Sequence, residues 1–246
     1  MNILGVRYDN VTLTEALEKA LSLLNKENNL RRANVFFLNI DCLYKSQGDE
    51  EYRQILNSAS LVLPDGIGLR LITKLLGGGM KANCNGTDFS PLFMRKASEK
   101  EYKIFFLGGK EGVAEKAAQN MCRQPPQIKI VGTHSGYFSD DGYVIEKINR
   151  SRADILFVAM GVPLQEKWIA KHREELSPMV CLGVGALFDF LSGHIKRAPI
   201  WMQKAGLEWL WRLMMEPKRL WKRYLVDDPK FFWLVVKQRL SLGRKT

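Results

Sequence analysis

The stretch Ile155-Leu-Phe-Val-Ala-Met160-Gly161-Val-Pro163-Leu-Gln165-Glu166-Lys-Trp168 decides the fold. Its first six residues are apolar without alternation, as expected of a strand covered on both faces in a parallel sheet. A Gly/Pro turn follows, and a helix candidate over 164–173 completes half of a βαβ unit. The pattern recurs in both directions. Further strand candidates lie at 35–38, 61–63, 104–107, 128–131 and 180–184. Helix candidates lie between them at 16–24, 50–56, 67–76, 88–98, 112–122 and 141–149. Thr12-Leu-Thr-Glu15 forms a capping box ahead of the first helix. This order predicts an α/β domain over residues 1–195, a doubly wound, mostly parallel, Rossmann-like sheet.

After Gly193 the pattern changes. Residues 196–246 carry 13 Lys and Arg against 4 Asp and Glu, +9 of the chain's net +11, and five of its six tryptophans. Leu207, Leu210, Trp211 and Met214 fall on one helical stripe, which Pro217 is expected to end. Leu220, Trp221, Tyr224 and Leu225 form a second stripe, with another break expected at Pro229. A near-neutral body with a basic, Trp-rich helical appendage suits an anionic membrane surface, because tryptophan favours the headgroup zone and cations favour acidic lipid. Basic residues among aromatics also suit single-stranded nucleic acid, but the neutral body disfavours that partner. No apolar run approaches the roughly 20 residues needed to cross a bilayer, and MNILGVRYDN lacks a signal pattern. The four cysteines form no CxxC pair, which suits reduced, buried thiols.

Ligands of such sheets bind beyond the carboxyl ends of the strands, near helix N-termini. The strand ends here carry Asn39-Ile-Asp41, Pro64-Asp65-Gly66, Gly108-Gly109-Lys110, Gly161-Val-Pro163-Leu-Gln165 and Gly185-Ala-Leu-Phe-Asp189. None completes a Walker A loop, a GxGxxG dinucleotide fingerprint or a GxSxG elbow. A nucleotide-dependent oxidoreductase therefore remains an alternative with an incomplete fingerprint. Asp65, in a Pro-Asp-Gly turn, is the sharpest candidate for a general base. Asp41, Asp88 and Asp189 are rivals, Asp88 also reading as a helix cap. The three histidines are scattered, and no residues have metal-ligand spacing.

Several motifs occur in order: Asn39, Pro64-Asp65-Gly66, Gly86-Thr87-Asp88, Phe106-Leu-Gly-Gly109, Gly161-Val-Pro-Leu-Gln-Glu166-Lys-Trp168, Gly183-Val-Gly-Ala186, Arg197-Ala-Pro199, Gly206-Leu-Glu-Trp209, Glu216-Pro217 and Arg223-Tyr224. Together they resemble the WecG/TagA/CpsF glycosyltransferases, family 26, over nearly the whole chain. The resemblance implies an inverting, metal-independent transfer, with no cofactor, from a UDP-sugar to a polyprenyl-diphosphate-linked glycan. It places the enzyme at the cytoplasmic face of a bacterial membrane, in teichoic-acid or exopolysaccharide synthesis. It makes Asp65 the base and puts Asn39 and Gln165 around the sugar and diphosphate. Gly108, Gly109, Tyr137, Gly161 and Asp189 would surround the nucleotide, with Gly66 and Gly185 on the adjoining turns. Arg212, Arg219 and Arg223 of the appendage would stabilise departing UDP. Self-association is a further possibility when no membrane covers the appendage.

One departure stands out. Lys81-Ala-Asn83-Cys-Asn-Gly86 puts Asn83 where many relatives carry arginine. Lys81 is a point charge without the fork of arginine. The N-acetylmannosamine donor usual in the family is therefore weighed against a hexose or hexuronic acid.

Overall fold

A computed structural model of the chain describes residues 1–25, 32–123 and 127–242, the last five of these by their backbone alone. The chain opens with a short antiparallel pair, β1 (Asn2–Ile3) and β2 (Val6–Arg7), and then α1 (Leu13–Ser22). There follow β3 (Ala33–Leu38), α2 (Ile40–Gly48), α3 (Glu50–Ser58), β4 (Leu61–Pro64), α4 (Ile67–Leu75) and α5 (Gly86–Ser98). Next come β5 (Ile104–Gly108), α6 (Val113–Cys122), β6 (Ile130–His134), α7 (Asp141–Arg150), β7 (Ile155–Ala159), α8 (Leu164–His172), β8 (Val180–Gly183) and α9 (Leu187–Leu191). The appendage holds α10 (Ile200–Lys204), α11 (Glu208–Met215), α12 (Pro217–Lys222), a π-helical turn over Arg223–Asp227, and α13 (Asp228–Leu242). Residues 243–246 of the basic tail lie outside the described residues.

Strands β3 to β8 form one parallel sheet in the order β4-β3-β8-β7-β5-β6, with helices on both faces. The doubly wound sheet read from the sequence is thus present. Its strands are uniformly apolar because alternate side chains enter two separate cores. Val35, Phe37, Ile155 and Phe157 pack with α1, α5, α6 and α9. Phe36, Leu38, Leu156 and Val158 pack with α2, α3, α4, α7 and α8 on the other face. Phe231 and Val235 of α13 are buried in that second core.

The capping box at Thr12 and Glu15 forms as expected. Three other expectations are corrected, and one helix, α2, had no counterpart among the expected elements. The strand expected at 128–131 runs over Ile130–His134. Asn39 caps α2 by accepting the Cys42 amide at 3.1 Å. Asp88 is not the cap of α5. Asn85 is, and it accepts the Asp88 amide at 2.9 Å. Helix α11 ends at Met215 before Pro217, as expected, and Pro217 opens α12 where a missing N–H costs nothing, whereas Pro229 follows the π-helical turn Arg223–Asp227 without a break. Helical backbone runs from 217 to 242 instead of breaking at Pro229. Among the described residues no helix is long and apolar enough to cross a membrane. The four cysteines are free, and Cys42, Cys84 and Cys181 are buried.

Candidate active site

The carboxyl ends of four adjacent strands, β4, β3, β8 and β7, bring the Asp65, Asn39, Gly185 and Gly161–Gln165 segments side by side. Asp65 is held by its own backbone. Its amide donates to Leu38 O at 2.8 Å, tying the turn after β4 to the end of β3. On its other side the Cys84 amide donates to Pro64 O at 2.8 Å, and the Gly66 amide donates to Asn83 Oδ1 at 2.7 Å. Gly66 takes φ +91°, a conformation that side chains oppose, so the turn demands glycine. Burial is the largest influence on the Asp65 carboxyl and pushes it up to about 6. Arg223, Arg212 and a hydrogen bond from the Asn39 side chain oppose that rise, while Glu208 adds to it. Such a group is ionised at neutrality and basic enough to take a proton.

Asn39 caps α2 with its side-chain oxygen and stands near enough to Asp65 to help hold the carboxyl down. One turn along α2, Asp41 accepts from Lys45 Nζ at 3.0 Å, and Lys45 also donates to Val162 O at 2.9 Å. Gln165 is buried and fully engaged. Its Oε1 accepts the amides of Gly161 at 3.2 Å and Gly185 at 2.9 Å, and its Nε2 donates to Glu166 Oε1 at 2.7 Å. Gly183 makes room for it, since a Cβ there would lie 3.0 Å from Gln165 Nε2. Here Gln165 is a latch between the turns after β7 and β8, and its amide does not face outward.

The appendage completes the surroundings of Asp65. Arg223 lies deep against the body, 3.6 Å from Asp41 Oδ2, with its guanidinium 5.2 Å from the centre of the Tyr224 ring. Arg212 lies over the Phe190 ring at 5.5 Å and 3.8 Å from Glu216. The Nε atoms of both arginines are buried without a hydrogen-bond partner. Arg219 behaves differently: it is exposed and held by both Glu216 oxygens, at 2.7 and 2.5 Å. Asp228 is pushed up to about 6 by burial, against the pull of Arg223.

The expected nucleotide residues sit farther along the same sheet edge. Gly108 is dictated by packing, because a Cβ would fall 2.4 Å from Ala159 O. The Gly109 amide donates to that same oxygen at 3.0 Å, and the Gly136 amide to Gly109 O at 2.8 Å. These contacts stitch together the turns after β5, β6 and β7. Tyr137 projects into solvent beside them, 76% exposed. Burial raises Asp189, Glu216 adds to the rise, and His194, Arg219 and Arg212 oppose it. A shallow depression of about 390 Å³, lined by Glu111, Gly112, Val113, Lys116, Ser192, Gly193 and His194, lies between α6 and the end of α9.

With this geometry in place, the similarities to other proteins become informative. The model of the glycosyl transferase WecG/TagA/CpsF family matches residues 1–245. The chain belongs to this family. It is 35% identical over 201 residues to the N-acetylglucosaminyldiphosphoundecaprenol N-acetyl-beta-D-mannosaminyltransferase of Bacillus subtilis (strain 168), covering 82% of this chain and 78% of that protein. A Staphylococcus aureus (strain MW2) protein of the same name is 28% identical over 247 residues, covering 99% of this chain and 95% of its own.

Sequence reasoning missed three features of this WecG/TagA/CpsF protein. Asn83, noted only as a departure, supports the Asp65 turn. Glu166, buried behind Gln165, is pushed up to about 7 by burial, and its Oε2 has no partner. Arg197 joins Asp88 at 2.7 Å and Glu208 at 3.4 Å, fastening α11 to the start of α5. Arg197, Asp88 and Glu166 stand in quoted motifs, but nothing in those motifs gave their partners; Asn83 stood out only as a departure. Among the described residues no group of three or more His, Cys, Asp or Glu could hold a metal ion.

Proposed function

We propose that this protein transfers a sugar from a UDP-sugar to a polyprenyl-diphosphate-linked glycan, with inversion at the anomeric carbon. N-acetylmannosamine is the donor sugar favoured by the relatives' names, and N-acetylglucosaminyl-diphosphoundecaprenol the acceptor. The observation that carries the reading is Asp65 itself, a carboxyl raised to about 6 and faced by Arg212 and Arg223.

In a single displacement the acceptor hydroxyl oxygen attacks the anomeric carbon. The bond from that carbon to the UDP oxygen breaks, and its electron pair leaves with the β-phosphate. Asp65 accepts the hydroxyl proton, and the Asn39 side chain orients the carboxylate. Arg212 and Arg223, with buried and unpartnered Nε–H groups, supply charge for the departing diphosphate. Both arginines belong to the appendage, so its docking completes the site. The appendage also exposes Trp201, Trp221, Leu225, Trp233 and Leu234 beside Lys218 and Lys222, a composition suited to the headgroup layer of an anionic membrane.

The test is a transfer assay with a panel of UDP-sugars and the lipid-linked acceptor, reading product configuration by NMR. Transfer with inversion by the natural protein, lost in Asp65→Asn with UDP binding retained, is the expected outcome. Full turnover in Asp65→Asn removes Asp65 from the mechanism, and retention of configuration removes the single displacement.

A further inference from the structure

Helix α4 begins one residue after the Asp65–Gly66 turn, and its outward face is unusual. Ile67, Arg70, Leu71 and Lys74 follow the i, i+3, i+4, i+7 spacing of one helical face, and all four are exposed. Leu71 is 50% exposed, and Leu76, just past the helix, is 38% exposed. The opposite face, Leu69 and Ile72, is buried in the core. Among the described residues neither Arg70 nor Lys74 joins an ion pair, although most cations near the site do. The face is continuous with the appendage, because Ile67 side-chain atoms lie 3.2 to 3.4 Å from where a Gly206 Cβ would stand.

We propose that this face of α4 binds the diphosphate and the first isoprenoid units of the acceptor. The inference rests on the functional reading above. Such an acceptor is ordered along its length as sugar, two phosphates, then hydrocarbon. Outward from Asp65, the exposed face of α4 carries the cations Arg70 and Lys74 with Leu71 between them and Leu76 beyond. Arg70 stands about one turn and Lys74 about two turns past the start of α4, at a rise of ~1.5 Å per residue. Two free cations there complement two phosphates, and Leu71 with Leu76 offers an apolar track for the chain. The buried Nε–H groups of Arg212 and Arg223 belong to the appendage and are left to the donor's diphosphate. The two substrates then approach the carboxylate with their phosphates on separate sets of cations.

The experiment compares acceptors that share the glycan and diphosphate but differ in lipid, a long polyprenyl chain against a short water-soluble one. For Arg70→Gln/Lys74→Gln the acceptor KM is expected to rise about tenfold with both lipids, while donor KM and UDP binding stay unchanged. For Leu71→Gln the rise is expected with the long chain alone. Equal rises for donor and acceptor, or none in either variant, overturn the inference. A change in solution mass on Leu71→Gln would also overturn it, assigning the face to contact between copies of the chain. Natural protein inactive with every lipid-linked acceptor sinks the functional reading itself, and the inference with it.

Discussion

Asn83 accepts the Gly66 amide at 2.7 Å and thereby fixes the turn that aims Asp65. A short polar side chain here supports the turn that carries the proposed base. In Asn83→Ala the amide loses its acceptor, and kcat is expected to fall about tenfold with little change in donor KM. Asn83→Asp keeps an acceptor but sets a second carboxylate beside Asp65. Like charge disfavours ionisation of the base, so the acid limb of the pH profile should move up. A pH–rate series on the two variants checks this, and an unmoved limb in Asn83→Asp would sink the electrostatic half of the argument.

The pH profile of the natural protein follows from Asp65. As the proposed base, Asp65 works ionised, so kcat/KM should rise with pH up to about 6, tenfold per unit at the acid end, and level off above it. Asp65→Asn should lose roughly 10² to 10⁴ in kcat and show no such limb. An acid limb persisting in Asp65→Asn would assign the titration to another group.

The sheet was legible because strands covered on both faces carry unbroken apolar runs, as at 35–38 and 155–159. Helix α2 was not, because it starts two residues after β3 ends and opens with polar Asn39 and Asp41. Asp65 and Asn39 were legible from their place at strand ends. The Asn83–Gly66 bond spans 17 residues and the Arg197–Asp88 bond 109, and no local periodicity encodes such pairs. Gln165 was legible as a strand-end residue, but its latch between Gly161 and Gly185 depends on β7 and β8 being neighbours. The appendage's tryptophans were visible in composition. That Leu220, Phe231 and Val235 turn inward and leave Trp221 and Trp233 outward required the packed structure.

Glu166 predicts a pH-dependent stability of unusual sign. Burial raises its carboxyl from the ordinary range near 4.5 to about 7, so the folded state binds more protons than the unfolded state between those values. Stability from this group is therefore present below about pH 4.5 and falls as pH rises toward 7. Glu166→Gln removes the buried charge and should raise Tm by a few degrees at pH 8, while changing it little at pH 5. Thermal unfolding at the two pH values measures the difference, and an equal Tm change at both would show that Glu166 is not the titrating group.

Arg197 is the remaining lever, because it connects catalysis to the docking of the appendage. Its guanidinium joins Asp88 in α5 to Glu208 in α11, the helix that also carries Arg212. Helix α11 has no buried residue, so this clamp acts with the Trp211 Nε1 bond to Lys196 O at 2.9 Å and the Arg212 contact with Phe190 to position it. Removing one partner from a half-buried charged network costs about 1 to 3 kcal/mol. In Arg197→Met that loss should fall on local docking while the sheet stays intact. Hydrogen exchange should quicken over 208–215 with β3 and β8 unchanged. Because α11 brings Arg212 toward Asp65, kcat should fall along with it, and added UDP should slow the exchange again by engaging the arginines. Unaltered exchange in α11 would mean that packing around Leu220 and Phe231 alone seats the appendage.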